Sequence, residues 1–167
     1  MSRLDRIWNG WRSQYVNDLA QAVVGEGSVF TQILGSGLSD DDAYILHRGA
    51  TVFALLNAFP YTSGHLMVLP FREVPSLEDL TREETAELWA TVTDAVVAVK
   101  TAYQPGGVNV GINLGRPAGG SVSEHLHVHV VPRWSGDGNF MTAIAEARTL
   151  PEPLSQSATK LRAAWPA

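Results

Sequence analysis

The sequence predicts an α+β domain: a mostly antiparallel sheet carrying one long helix. Three observations predict it. Strand-like runs come in groups, Ala43–His47, Thr51–Asn57 and His65–Leu69, then Val108–Leu114 and His125–Val131, instead of alternating one by one with helices. A single long stretch, Thr81 to Tyr103, keeps a helical stripe of apolar residues. The turn Pro60–Gly64 (PYTSG) is short enough to join its two neighbouring strands antiparallel.

Taken in order, residues 3–20 read as a short helix carrying Trp8, Trp11 and Tyr15, which suit packing or a subunit contact. Residues 25–40 (GEGSVFTQILGSGLSD) are rich in Gly and Ser and read as a loop. Asp40–Asp42 reads as a solvated loop or helix start, because no carboxylate pattern for a cation accompanies it. The three strands follow, with His47 a satisfied surface or core histidine. Thr81 and Glu84 form the Thr-x-x-Glu capping box that opens the long helix. Leu88, Val92, Ala95, Val96 and Val99 continue its core stripe, and Gln104–Gly107 stops it. After strand Val108–Leu114 comes a glycine-rich loop, Gly115–Glu124, then strand His125–Val131, whose pairing Pro132 should end. Two tail helices are expected, Asn139–Ala147 and Leu154–Trp165.

The chain of 167 residues is long enough for one domain with a proper core. The expected layout is a single domain over 1–167, with a core at about 43–140, an N-terminal segment 1–42 and a C-terminal segment 141–167. A formal net charge of −5 argues against a general nucleic-acid binder. It leaves room for a small anionic ligand in a locally positive site. With no cysteine, disulfides, thiolate zinc sites and cysteine nucleophiles are excluded. The N-terminus has no apolar signal-like region and no run approaches 18 apolar residues, so no membrane partner and a cytoplasmic location are expected.

The chemistry concentrates in EHLHVHVVPRW, residues 124–134, which holds three of the five histidines. His125, His127 and His129 alternate with Leu126, Val128 and Val130, the strand period, so the imidazoles share one face. Four uses compete. A polar outer strand face is the bland one. A metal site fits poorly, because the outer two histidines lie about 13–14 Å apart at Cα; a metal would take at most two of them plus His65 or His47. A nucleophilic imidazole, with neighbours setting its tautomer and stabilising charge, uses the whole row. A nucleotide-binding protein with a repurposed site is the alternative outside catalysis. The preceding loop adds Asn113, Gly119, Gly120 and Ser121: an amide, unhindered backbone N–H groups and a hydroxyl, suited to an anion. Alone, Gly119-Gly120 is a turn; beside the histidines it reads as a phosphate site, flanked by Arg116 and Arg133.

His125-Leu126-His127-Val128-His129-Val130-Val131 resembles the signature of the histidine triad (HIT) superfamily of nucleotide hydrolases and transferases. Phe53–Val74 (FALLNAFPYTSGHLMVLPFREV) is similar to that family's ribose-binding hairpin, and Asn109–Trp134 to its phosphate loop and catalytic strand. Arg6–Val16 (RIWNGWRSQYV) resembles the N-terminal segment of the actinobacterial diadenosine tetraphosphate phosphorylase branch. The resemblance spans about Leu4 to Phe140 and is poor over 25–40, from which nothing is carried over.

The resemblance implies a HIT-like fold and a homodimer whose sheets join across a two-fold axis. It implies that His127 attacks the α-phosphorus of a nucleotide, giving a nucleotidyl-histidine taken by phosphate or water. His129 would bind phosphate oxygens, and His125 would support the strand and orient His127. Asn57 falls on the ribose position, with His65 behind it; Asn113, Gly120 and Ser121 fall on phosphate contacts. Trp134 falls where the phosphorylase branch stacks a base or closes the site. Many relatives hold structural zinc through Cys-x-x-Cys and a later histidine. Those positions are Ser28, Thr31 and Glu73 here, so no structural zinc is expected. No cofactor is required, although a divalent cation can accompany the nucleotide. Hydrolase branches place glutamine four residues before the first triad histidine; Ser121 stands there, as in the phosphorylase-like branch. The expected reaction is therefore phosphorolysis of diadenosine tetraphosphate to ADP and ATP. Hydrolysis of dinucleoside polyphosphates or nucleoside phosphoramidates is the alternative.

Overall fold

The computed structural model describes residues 26–119, 122–137 and 152–166. The helices expected over 3–20 and 139–147 lie outside them. Five strands, β1 (Ile45–Arg48), β2 (Val52–Leu56), β3 (Leu66–Pro70), β4 (Gly107–Ile112) and β5 (Val128–Arg133), form one sheet in the order β1-β2-β3-β5-β4. Every neighbouring pair is antiparallel. Among the described residues, three α-helices accompany them: α1 (Val29–Gly35), α2 (Arg82–Tyr103) and α3 (Leu154–Ala164). The α+β expectation is met.

α2 begins where the sequence places it. The Thr81 hydroxyl accepts from Glu84 N–H, and the Glu84 carboxylate accepts from Thr81 N–H, 3.1 and 2.8 Å. Its buried stripe runs Leu88, Thr91, Val92, Ala95, Ala98 and Val99. Thr81→Ala should lower stability by about 1 kcal/mol. A urea midpoint that does not move, at unchanged slope, would show that the cap does not matter.

The loop expected over 25–40 is corrected: it contains α1. Ser28 is its N-cap, accepting from Thr31 N–H, and Phe30 and Ile33 point into the core. Gly27 and Gly37, at φ 92° and 75°, bracket the helix as start and stop residues. Their density had made the segment look unstructured.

The histidine strand is corrected at both ends. It spans Val128–Arg133, so His125 and His127 precede it. Pairing with β3 stops at Val68↔Val128; two residues further, Pro70 faces Leu126 and has no N–H to give. Leu126 N–H donates instead to Val74 O, 2.7 Å. Pro132 does not end the pairing, because it sits opposite Val108 in β4. Its carbonyl accepts from the Thr62 hydroxyl, 2.8 Å, on the side where β3 has already stopped. The missing N–H of Pro132 falls on that same side and costs the sheet nothing.

The core is continuous across the sheet and helices, from Phe30 and Ile33 through β2, β3 and α2 to Leu154, Ala158 and Leu161 of α3. β2 and β3 are buried at every position. α3 is tied to the far edge of the sheet: the Arg162 guanidinium donates to Ile45 O (2.7 and 3.1 Å) and Asp40 O (2.8 Å) and pairs with Asp41. His47 stacks on Trp165 at 5.3 Å. Asp40 also pairs with Arg48 at 2.8 Å, so two of the three acidic residues are held in ion pairs. β4 forms the other edge, with Val110 exposed. Among the described residues, no helix is long and apolar enough to cross a membrane.

Candidate active site

β5 lies between β3 and β4, so His129 sits opposite Met67 on one side and Gly111 on the other. Gly111 has no side chain, which leaves the face beside the imidazole open. The bland reading of the row as an outer polar face fails on burial: His125 is 0% and His127 6% exposed. Buried imidazoles need partners, and those partners set which nitrogen carries the proton.

His127 Nδ1 lies 2.7 Å from the carbonyl of His125, an acceptor only. Nδ1 therefore carries the hydrogen, and in the neutral ring Nε2 keeps its lone pair. His129 is set the opposite way. Tyr61 N–H donates to His65 Nδ1 at 3.0 Å, so His65 carries its hydrogen on Nε2. That nitrogen faces His129 Nδ1 at 3.0 Å, which must accept. His129 is left with its hydrogen on Nε2, as a donor. Burial, reinforced by the neighbouring imidazoles, pushes His65 down to about 3 and His129 down to about 4. Both are neutral near pH 7, so these tautomers hold. The rings of His127 and His129 meet edge to face, 4.9 Å apart. One row thus presents a lone pair and, beside it, an N–H.

A cleft of about 410 Å³ opens beside His129, lined by Tyr61, Asn109, Asn113 and Arg133 among others. Arg133 donates to both carboxylate oxygens of Asp137 and to Asn109 Oδ1, 2.6–2.8 Å. Its charge is therefore already matched. Asn57 places Nδ2 3.5 Å from both ring nitrogens of His65, while its Oδ1 accepts from Phe59 N–H at 2.8 Å. Trp134 packs edge-on against Tyr103 at 6.2 Å. Gly120 and Ser121 lie outside the described residues. The structure thus gathers His125, His127, His129, His65 and Asn57, and Asn113 joins them along the cleft.

Three residues around the triad received no site role from the sequence. Phe30 lies 5.3 Å from the His127 ring and 5.5 Å from His125. Ser28 Oγ lies 2.7 Å from His125 Nδ1. Glu73 accepts from Ser28 N–H (2.7 Å) and the Thr31 hydroxyl (2.6 Å). No local pattern in the sequence ties them to the triad. Ser28, Thr31 and Glu73 are the positions the resemblance aligns with zinc ligands. Two hydroxyls and one carboxylate, already bonded to each other, do not match the nitrogen and sulfur donors of a structural zinc site. Among the described residues, no group of three or more His, Asp or Glu is arranged to hold a metal ion.

The HIT domain family model matches residues 40–136. The chain belongs to the HIT family. Within that family, a protein of Mycobacterium tuberculosis named AP-4-A phosphorylase is 44% identical, over 98% of this chain and 85% of its own. A bis(5'-adenosyl)-triphosphatase of Dictyostelium discoideum is 40% identical over 48% of this chain and 54% of its own. Among solved structures, a zinc-bound histidine triad family protein from Mycobacterium smegmatis superimposes with a TM-score of 0.66. It is 28% identical, over 83% of this chain and 92% of that one. The HIT match covers the sheet, α2 and all three triad histidines.

Proposed function

We propose that this HIT protein is a nucleotidyl transferase that splits diadenosine tetraphosphate with inorganic phosphate, giving ADP and ATP. The observation that carries the reading is the opposed tautomers of His127 and His129. His127 Nε2 attacks the α-phosphorus. The bond from that phosphorus to the bridging oxygen breaks, and its electrons leave with ATP. The adenylyl group stays on His127 until a phosphate oxygen attacks, forming ADP and freeing the imidazole. His129 Nε2–H faces the charge that grows on the phosphoryl oxygens, fixed in place before the reaction begins. The leaving group is itself a phosphate and needs little protonation.

The similarity to the mycobacterial AP-4-A phosphorylase over 98% of the chain supports this substrate. In this reading Asn57 holds the ribose, Asn113, Gly120 and Ser121 hold phosphate, and Trp134 closes over the substrate. His65 acts by fixing His129. β4 supports a homodimer, since it is the sheet's edge and exposes Val110. No structural zinc is involved; a divalent cation would arrive with the nucleotide. The protein works in the cytoplasm on a small anionic substrate, with neither nucleic acid nor membrane as partner.

Hydrolysis is the second reading, favoured by the similarity to a bis(5'-adenosyl)-triphosphatase. Products separate the two. ADP plus ATP only when phosphate is supplied is the expected result. AMP plus ATP in phosphate-free buffer would make water the acceptor. No cleavage in either buffer would overturn both readings.

A further inference from the structure

His125 faces no cleft, is wholly buried and has both ring nitrogens engaged. The chemistry proposed for His127 gives it no direct part. Its partners show what it does. His125 Nε2 lies 2.8 Å from Pro70 O, which only accepts, so the hydrogen sits on Nε2. Nδ1 must then accept, and the donor in reach is the Ser28 hydroxyl at 2.7 Å. Ser28 is held in turn. Its backbone N–H donates to Glu73, its Oγ accepts from Thr31 N–H at 3.2 Å, and the Thr31 hydroxyl also goes to Glu73. The end of β3 and the turn after it therefore grip the residues before β5 three times: Pro70 O on the ring of His125, Val74 O on Leu126 N–H, and Glu73 through Ser28. The carbonyl so immobilised is the one that takes His127 Nδ1–H.

We propose that Ser28 and Glu73 are positioning residues for His127: through His125 they fix the tautomer that leaves Nε2 of His127 free to attack. The kinetic consequence rests on His127 being the nucleophile; the tautomer itself does not. A cluster of hydrogen bonds here does the bracing for which a metal would need cysteine and histidine ligands.

The test reads the ring nitrogens of nitrogen-15 histidine-labelled protein by NMR near neutral pH, in the natural chain, Ser28→Ala and Glu73→Gln. The natural chain should show His125 protonated on Nε2 with Nδ1 accepting, and His127 protonated on Nδ1. Ser28→Ala should abolish the accepting signature at His125 and give His127 a mixture of tautomers. Its kcat should fall about 10- to 100-fold with KM within about twofold, the pattern of a misaimed nucleophile. Glu73→Gln keeps the Ser28 cap and hydroxyl and should move both readouts the same way by less. It carries the test if Ser28→Ala does not fold. A proton on Nδ1 of His125 in the natural chain, or unchanged His127 signals in both variants, would overturn the proposal. If the natural chain cleaves no dinucleoside polyphosphate, the proposed function fails, and the NMR arm still decides the positioning role.

Discussion

His127→Ala is expected to lower turnover of diadenosine tetraphosphate by about 10⁴-fold or more, the scale on which an enzyme loses its nucleophile. The basis is geometric. The His125 carbonyl takes the Nδ1 hydrogen of His127, and Nε2 is the free nitrogen. No neighbouring ring replaces it, since His129 has its lone pair committed to His65 and His125 is walled in. The variant should still fold. The side chain removed lies at the margin of the core, and its loss leaves one carbonyl unpaired, at about 1–3 kcal/mol. Thermal unfolding beside a product assay checks both. Turnover within tenfold of the natural chain would sink the covalent mechanism.

The second large effect is on stability against pH. His65 and His129 are held near 3 and 4, against 6.5 for a free imidazole. Below pH 6.5 the unfolded chain takes up protons that the folded chain refuses, so stability falls as pH drops from about 6.5 towards 4 and 3. For His65 alone, the step from pH 7.5 to 5 should cost about 2 kcal/mol. His129, open to the cleft, adds less, and buried His125 acts in the same direction. The carboxylates held low by hydrogen bonds, Glu73 and Glu84 among them, begin to add their own loss only below about pH 4.5. Urea unfolding at pH 7.5 and pH 5.0 measures the difference. Equal midpoints would mean that these imidazoles are not held neutral.

Much of this was legible in the sequence because it depends on neighbours. The alternation from His125 to His129 is a property of five residues, and the Thr81–Glu84 box of four. Their spacing alone carries the geometry. Strand ends were less legible, since Pro70 and Pro132 act through what lies across the sheet: Pro70 stops a ladder, and Pro132 sits harmlessly where a partner has already ended. The bracing of His125 was legible only in part: the resemblance sets Ser28, Thr31 and Glu73 at zinc-ligand positions but does not tie them to His125. Ser28 is 97 residues from His125 and 45 from Glu73, and nothing local marks a serine or glutamate as the partner of a distant imidazole. Phe30 escaped for a related reason, because the glycines on both sides of α1 masked a seven-residue helix.

The two margins of the sheet are unlike. β1 is only four residues long, carries an irregularity between Ile45 and His47, and has the Ile45 carbonyl occupied by Arg162. β4 is six residues long and has no such guard among the described residues. A sheet open at both margins is a monomer for a fibre, since each added chain offers a fresh edge. A sheet open at one margin terminates itself: after two chains meet back to back, only blocked edges remain. In this fold the guanidinium of Arg162 takes the Ile45 carbonyl, so β1 offers a further strand one acceptor fewer.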